Sequence, residues 1–197
     1  MRPRLRDLPN IISLLRLLAV IPVVYLLLER EFGWALLLFV AAGLSDGLDG
    51  LLAKRFGWQS HLGGILDPLA DKVLLVACFL VLGAMSLIPG WLVALVIFRD
   101  LLIVGGAVLY NYRVEEIQAA PILVSKLNTL FQILLALLVI MNAGVTPVPG
   151  WVIATLIWAC LLTVVVSGAQ YVWIWWRKAA QKGWGEGRGS STDAQKR

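Results

Sequence analysis

Residues 151–176 read WVIATLIWACLLTVVVSGAQYVWIWW, 26 residues without one charged side chain. A helix needs about 20 consecutive apolar residues to cross the hydrocarbon core of a bilayer. A run of this length in a water-soluble domain would leave no face for solvent. Five further apolar stretches lie upstream of it, at residues 11–28, 34–53, 68–87, 91–110 and 127–141. Each approaches spanning length, the fifth being the shortest.

The composition agrees. The chain has 197 residues, 60% of them hydrophobic and 15% charged, against about 45–50% and about 25% in soluble domains. That balance excludes an ordinary soluble globule and a disordered chain. Two cysteines, Cys78 and Cys160, exclude a disulfide scaffold, and both fall within apolar spans as small packing residues. The expected fold is all-α, a polytopic membrane bundle of six transmembrane helices. Connections such as 88–90 and 145–150 are short and hold proline and glycine, so consecutive helices should run antiparallel. The domain then occupies residues 11–176. Residues 1–10 form a cytoplasmic juxtamembrane segment, and residues 177–197 a basic, glycine-rich tail expected to be disordered.

Charge sets the orientation. Arg2, Arg4, Arg6, Lys54, Arg55, Arg113, Lys126 and the lysines and arginines of the tail all fall on one side of a six-span chain; Arg30 stands opposite. Basic residues accumulate on the cytoplasmic side, so both termini are expected in the cytoplasm. Trp34, Trp91 and Trp151 begin spans and read as interfacial anchors. The net charge of +5 is therefore juxtamembrane and suited to anionic lipid. No soluble basic face is present, so no nucleic-acid partner is expected. The first span is too long for a signal-peptide core and no small-residue cleavage site follows it.

Ionisable residues are costly inside spans and mark function. They are concentrated in two segments, SDGLDGLLAKR at 45–55 and GGILDPLADK at 63–72. Asp46 and Asp49 stand three residues apart near the end of the second span. Asp67 and Asp71 stand four apart at the start of the third. Both spacings put a pair on one helix face, and antiparallel helices bring the two pairs to one depth. Four converging carboxylates must be protonated, matched by cations, or bound to metal. Lys54 and Lys72 could match some of the charge. An all-oxygen donor set favours Mg²⁺ or Mn²⁺, or Ca²⁺, over zinc, since His61, placed in a connecting loop, is the only histidine. Gly50, Ala53, Gly63 and Gly64 beside the acids would let a bulky ligand approach the backbone, and small residues also serve helix packing.

These residues carry a resemblance. The spacing D-x2-D-G-x2-A-R-x8-G-x3-D-x3-D of the CDP-alcohol phosphatidyltransferases is matched at Asp46, Asp49, Gly50, Ala53, Gly63, Asp67 and Asp71. The family arginine is replaced by Lys54, followed directly by Arg55. Lysine keeps the charge but not the bidentate fork, so either residue could take the arginine's part. The resemblance implies that Asp46, Asp49, Asp67 and Asp71 hold two divalent ions. It implies that Asp49, Gly50, Ala53, Lys54, Arg55 and Gly63 bind a CDP-linked lipid, CDP-diacylglycerol, and that Asp71 is the general base. An acceptor hydroxyl would then attack the lipid-side phosphorus and expel CMP.

Arg16, Arg99, Arg113 and Lys126 are the remaining candidates for an acceptor pocket, with Asp100 beside Arg99 as a possible internal pair. The segments Phe98-Arg99-Asp100 and Ser125-Lys126-Leu127-Asn128-Thr129, with Gln132, are similar to the cardiolipin synthases of the family. Phosphatidylglycerol is thus the expected acceptor, with glycerol 3-phosphate as the alternative. The resemblance further implies a homodimer, and the chain as it stands suggests a bacterial inner membrane with the active site facing the cytoplasm. A cation transporter is the reading from another class. Against it, the acids sit at one face, and the last two spans add none to complete a path.

Overall fold

The computed structural model describes residues 8–56, 63–113 and 123–183, with side chains described over 14–45, 72–105 and 123–174 and at Arg177. Six α-helices account for these residues: α1 (Leu8–Leu28), α2 (Phe32–Phe56), α3 (Gly63–Ala84), α4 (Gly90–Arg113), α5 (Leu123–Gly144) and α6 (Gly150–Gly183). The all-α expectation and the count of six agree with this. Among the described residues, Leu123–Gly144 and Gly150–Ile174 are long and apolar enough to cross a membrane; the apolar stretches of α1, α2 and α3 are shorter.

Helix ends differ from the hydropathy limits for physical reasons. α3 starts at Gly63, five residues before the expected start at 68; the helix runs through Pro68, its sixth residue, which has no N–H to give the Gly64 carbonyl. α5 starts at Leu123 rather than 127. Ser125, Lys126 and Asn128 lower local hydropathy without opposing helix. α6 continues to Gly183, so residues 177–183 of the expected disordered tail are helical. Lys178, Ala179, Ala180, Gln181 and Lys182 are good helix formers. Residues 184–197 and residues 1–7 lie outside the described part.

Two helices end in the left-handed conformation on residues other than glycine. Arg30 has φ 62° and Ser86 has φ 59°. After α1, Glu31 N–H reaches the Leu26 carbonyl at 2.9 Å; after α3, Leu87 N–H reaches the Leu82 carbonyl at 2.9 Å. These 6→1 bonds satisfy the last carbonyls and reverse the chain sharply.

Buried positions follow helical periodicity. α1 turns Arg16, Val23 and Leu27 inward, α2 Ala35, Phe39 and Ala42, and α4 Leu92, Val96 and Arg99. The outward faces are just as apolar: Leu18, Ile21, Trp34, Leu101, Trp158 and Leu162 are all more than half exposed. A surface of this kind matches hydrocarbon rather than water.

The helices fall into two groups. α1 packs along both α2 and α3, which touch each other little; α6 packs along both α4 and α5. The groups meet through α2 with α5 and through α3 with α4 and α5. The two members of the proposed aspartate site are thus held side by side chiefly by α1. At the turn ends the packing is close. A β-carbon on Gly144 would stand 2.7 Å from Phe32 Cβ, an atom fixed by its own backbone, whereas one on Gly150 would meet nothing within 4 Å. Gly144→Ala is therefore expected to cost about 1–3 kcal/mol of overpacking. That should lower the melting temperature in detergent by several degrees, with Gly150→Ala unchanged; equal melting of the two variants would refute the close contact.

Candidate active site

Asp46 and Asp49 lie on the last three turns of α2, and Asp67 and Asp71 on the first three of α3. At about 100° per residue, the first pair is separated by roughly 60° around its helix and the second by roughly 40°. The helices are consecutive, joined by residues 57–62, so both pairs occupy one end of the bundle. Gly50, Ala53, Lys54 and Arg55 share that end of α2, and Gly63 is the first residue of α3. The backbone brings these positions to the same end; their side chains, and His61, lie outside the described residues. Arg113 is the last residue of α4, its side chain also outside them.

The described part of the same end is where the core turns polar. Among the described residues, Arg16, Arg99, Asn128, Gln132, Thr163 and Ser167 are the buried polar ones. They come from the first half of α1, the middle of α4, the first half of α5 and the middle of α6. The bonds of Arg99 to Ser125 and Ser167 put the last three helices' polar residues at one level. The opposite end is filled by Val23, Leu27, Phe79, Leu82, Leu92 and Ile140, all buried.

Arg99 organises this polar end. It is 4% exposed. Its Nη1 donates to Asp100 Oδ1 at 2.7 Å, its Nη2 to Ser125 Oγ at 2.7 Å, and its Nε to Ser167 Oγ at 3.1 Å. Nη2 also donates to Ser167 Oγ. Four of the five guanidinium N–H groups are therefore committed to protein partners, and one on Nη1 has none among the described residues. Asp100 Oδ2 accepts from Lys72 Nζ at 2.7 Å. The sequence marked Arg99 and Asp100 as a candidate pair, and they are one. Lys72 as its third member escaped the sequence reading, because nothing in a linear pattern says which face of α4 meets α3. Lys126, beside Ser125, is exposed; Arg16 is buried on α1.

A second polar contact joins α5 to α6. The Thr163 hydroxyl has Asn128 Oδ1 at 3.0 Å and the Ala159 carbonyl at 2.9 Å as acceptors. Asn128 Nδ2, Gln132 Nε2 and Oε1, and Gln170 Oε1 are buried without a hydrogen-bond partner among the described residues. The signal for this seam was available: Ser125, Asn128 and Gln132 recur at three and four residues on α5, and Thr163, Ser167 and Gln170 do so on α6.

Between α2, α3 and α5 lies a cavity of about 440 Å³, lined by Phe39, Gly43, Leu44, Leu75 and Ile133 with Lys72 at the aspartate end. Its charged end is at Lys72, and from there it extends along the apolar helices. An apolar chain with a charged head fits such a slot.

Comparison with known proteins gives one consistent result. Residues 6–175 match the CDP-alcohol phosphatidyltransferase family. A cardiolipin synthase (CMP-forming) of Rattus norvegicus is 32% identical over 190 residues, covering 88% of this chain and 62% of the rat protein. A chloroplastic CDP-diacylglycerol–glycerol-3-phosphate 3-phosphatidyltransferase of Oryza sativa subsp. japonica is 33% identical over 192 residues, covering 86% of this chain and 57% of its own length. A cardiolipin synthase (CMP-forming) of Streptomyces coelicolor is 38% identical over 103 residues, 49% of this chain and 48% of that one. The chain thus spans about half to three fifths of the length of these relatives.

Gln132 gives a direct test of the polar seam. A buried amide with neither end bonded costs about 1–3 kcal/mol per orphaned group. Gln132→Leu removes both orphans at similar volume and is expected to raise the melting temperature. A fall would mean that the amide is bonded to water or ligand in the working protein.

Proposed function

The chain belongs to the CDP-alcohol phosphatidyltransferase family, and we propose that it is an integral-membrane enzyme of glycerophospholipid synthesis that transfers a phosphatidyl group from CDP-diacylglycerol to phosphatidylglycerol, forming cardiolipin and CMP. The observation that carries this reading is the family spacing of acids and small residues on the facing ends of two consecutive helices, α2 and α3. The apolar outer surface supports membrane spans; a six-span protein of a bacterial inner membrane, with both termini and the site on the cytoplasmic side, completes the reading. A homodimer is part of the same reading.

The donor chemistry is carried by α2 and α3. Carboxylates at Asp46, Asp49, Asp67 and Asp71 make an all-oxygen set that suits two Mg²⁺ or Mn²⁺ ions, whose charge, when bound, offsets that of the donor pyrophosphate. Gly50, Ala53 and Gly63 leave room for the nucleotide beside the backbone. Lys54 or Arg55 supplies a cation for its phosphates. An acyl chain of the donor fits the cavity between α2, α3 and α5. Asp71 takes the proton from the acceptor hydroxyl, which stays protonated at neutral pH and is otherwise a poor nucleophile. The acceptor oxygen then bonds to the lipid-side phosphorus as the phosphorus–oxygen bond to CMP breaks, the electron pair leaving with CMP. Strongly interacting acids titrate together, so the base belongs to the cluster as much as to one residue.

The acceptor phosphate is assigned to Arg16, Arg113, Lys126 and the remaining donor of Arg99. Glycerol 3-phosphate is the second reading, favoured by the similarity to the rice enzyme. Purified protein given labelled CDP-diacylglycerol and Mg²⁺ separates the two. Cardiolipin formed with phosphatidylglycerol alone is the expected product, and phosphatidylglycerophosphate formed from glycerol 3-phosphate would replace that assignment. EDTA should silence the reaction and Mg²⁺ or Mn²⁺ restore it; no CMP release under any condition would favour a transporter. Asp71→Asn should lower turnover by at least about 100-fold, the lower range of general-base contributions, while CDP-diacylglycerol binding is largely kept. Near-normal turnover would remove Asp71 as base.

A further inference from the structure

The Lys72–Asp100–Arg99 chain is used by neither the aspartate set nor the cavity wall alone, and it joins the two groups of helices. Asp100 presents one carboxylate oxygen to each neighbour, Oδ2 to Lys72 on α3 and Oδ1 to Arg99 on α4, both at 2.7 Å. Arg99 continues the chain to Ser125 on α5 and Ser167 on α6. Four helices are thereby tied at one level by charged or hydroxyl groups.

The ends of this chain are placed tellingly. Lys72 directly follows Asp71, the proposed base. Ser125 directly precedes Lys126, a proposed acceptor cation. One residue along a helix is a rise of about 1.5 Å, so a shift of either end carries its neighbour with it. We propose that Asp100 is a positioning residue for phosphatidyl transfer, which sets the rotation and height of the Asp71 helix against the acceptor side of the site. This rests on the transferase reading above.

Three physical points support the assignment. First, apolar side chains that face apolar lipid gain little by burying against one another, so packing alone fixes register weakly. Ion pairs in an apolar setting have one good geometry. Their return is specificity more than stability. Second, the chain is buried at its centre and open at one end. The side chains of Arg99 and Asp100 are 5% and 13% exposed, and that of Lys72 is 38% exposed. Lys72 also lines the cavity, so the tie reaches the place where a donor lipid would lie. Third, transfer needs the hydroxyl, the base and the phosphorus aligned within a fraction of an ångström, and a 1 Å misplacement can cost about 100-fold.

The test uses the full chain in lipid nanodiscs with Asp100→Asn, Asp100→Glu, Lys72→Met and the Lys72→Met/Asp100→Asn double variant. CDP-diacylglycerol binding is titrated first, so that turnover is expressed per donor site. For Asp100→Asn we expect kcat per site to fall by about 10- to 100-fold. The acceptor KM should rise, with donor affinity within about twofold of wild type. Asp100→Glu should recover part of the loss, and the double variant should be no worse than the poorer single one. Loss that follows the number of donor sites, with kcat per site and acceptor KM unchanged, would reduce Asp100 to a structural role and overturn the proposal. Additive losses would show that Lys72 acts on substrate independently and would overturn it equally. If Asp100→Asn does not accumulate, Lys72→Met must show the same split, because it leaves the Arg99–Asp100 pair in place. Absence of CMP release from the wild-type protein would instead retire the transferase reading, and the positioning role with it.

Discussion

A guanidinium group among apolar helices must be met by hydrogen bonds on every side, and Arg99 is met from α4, α5 and α6 together. Removing such a charge from water costs several kcal/mol, so its surroundings cannot be arbitrary. The carboxylate of Asp100 neutralises it, two serine hydroxyls take three more of its N–H groups, and Lys72 takes the second oxygen of the carboxylate. The packing of α4 against α3 and α6, and the reach from α4 to α5, must be compatible with this one set of bonds. Apolar contacts elsewhere in the bundle fill space around it. They would tolerate many registers.

The same requirement explains why the bundle is divided along its length. One end is packed by residues such as Phe79, Leu82 and Ile140 and needs no directional bonds. The other end holds the polar core and the helix ends that carry the aspartates. Polar side chains buried together can satisfy one another; scattered singly they would each be orphaned. Asn128 Nδ2 and the Gln132 amide, without a hydrogen-bond partner among the described residues, mark the border between the two regimes. Residues that reduce stability without an evident structural return concentrate where proteins do chemistry.

Much of this was legible in the sequence. Six helices follow from six apolar runs, and the helix spacing of Asp46 with Asp49 and of Asp67 with Asp71 needs only the 3.6-residue period. Two things were not legible. Helix ends at Gly63, Leu123 and Gly183 depart from hydropathy, because the measure tracks solvent preference while the helix tracks backbone hydrogen bonding, and serine, lysine and glutamine satisfy the second without the first. Pairings between distant residues were also hidden. Arg99 meets Ser167 across 68 positions, and Lys72 meets Asp100 across 28. Those contacts depend on which face each helix turns inward, a property of the whole bundle. The aspartate motif could be read early because its members are local in sequence; the Lys72–Asp100–Arg99 chain could not, because its ends are not.

The arrangement of helices also fits a substrate that arrives from the side. α1 packs along both α2 and α3, whose backbones come close to each other at few points. The space left between them is closed in part by α5 and forms the slot lined by Phe39, Leu44 and Ile133. A water-borne substrate would need no such slot, since its whole surface could be met at the polar end. A lipid carries its reactive phosphate and its acyl chains together, and burying one requires a path for the other. Lys72 stands where the two parts would divide, with its ammonium turned to Asp100 and its position on the cavity wall. The separation of α2 from α3 and the ion pair that fixes α3 are therefore two halves of one solution. On the proposed transferase reading, the first would admit a lipid, and the second would keep the helix bearing the proposed base in place.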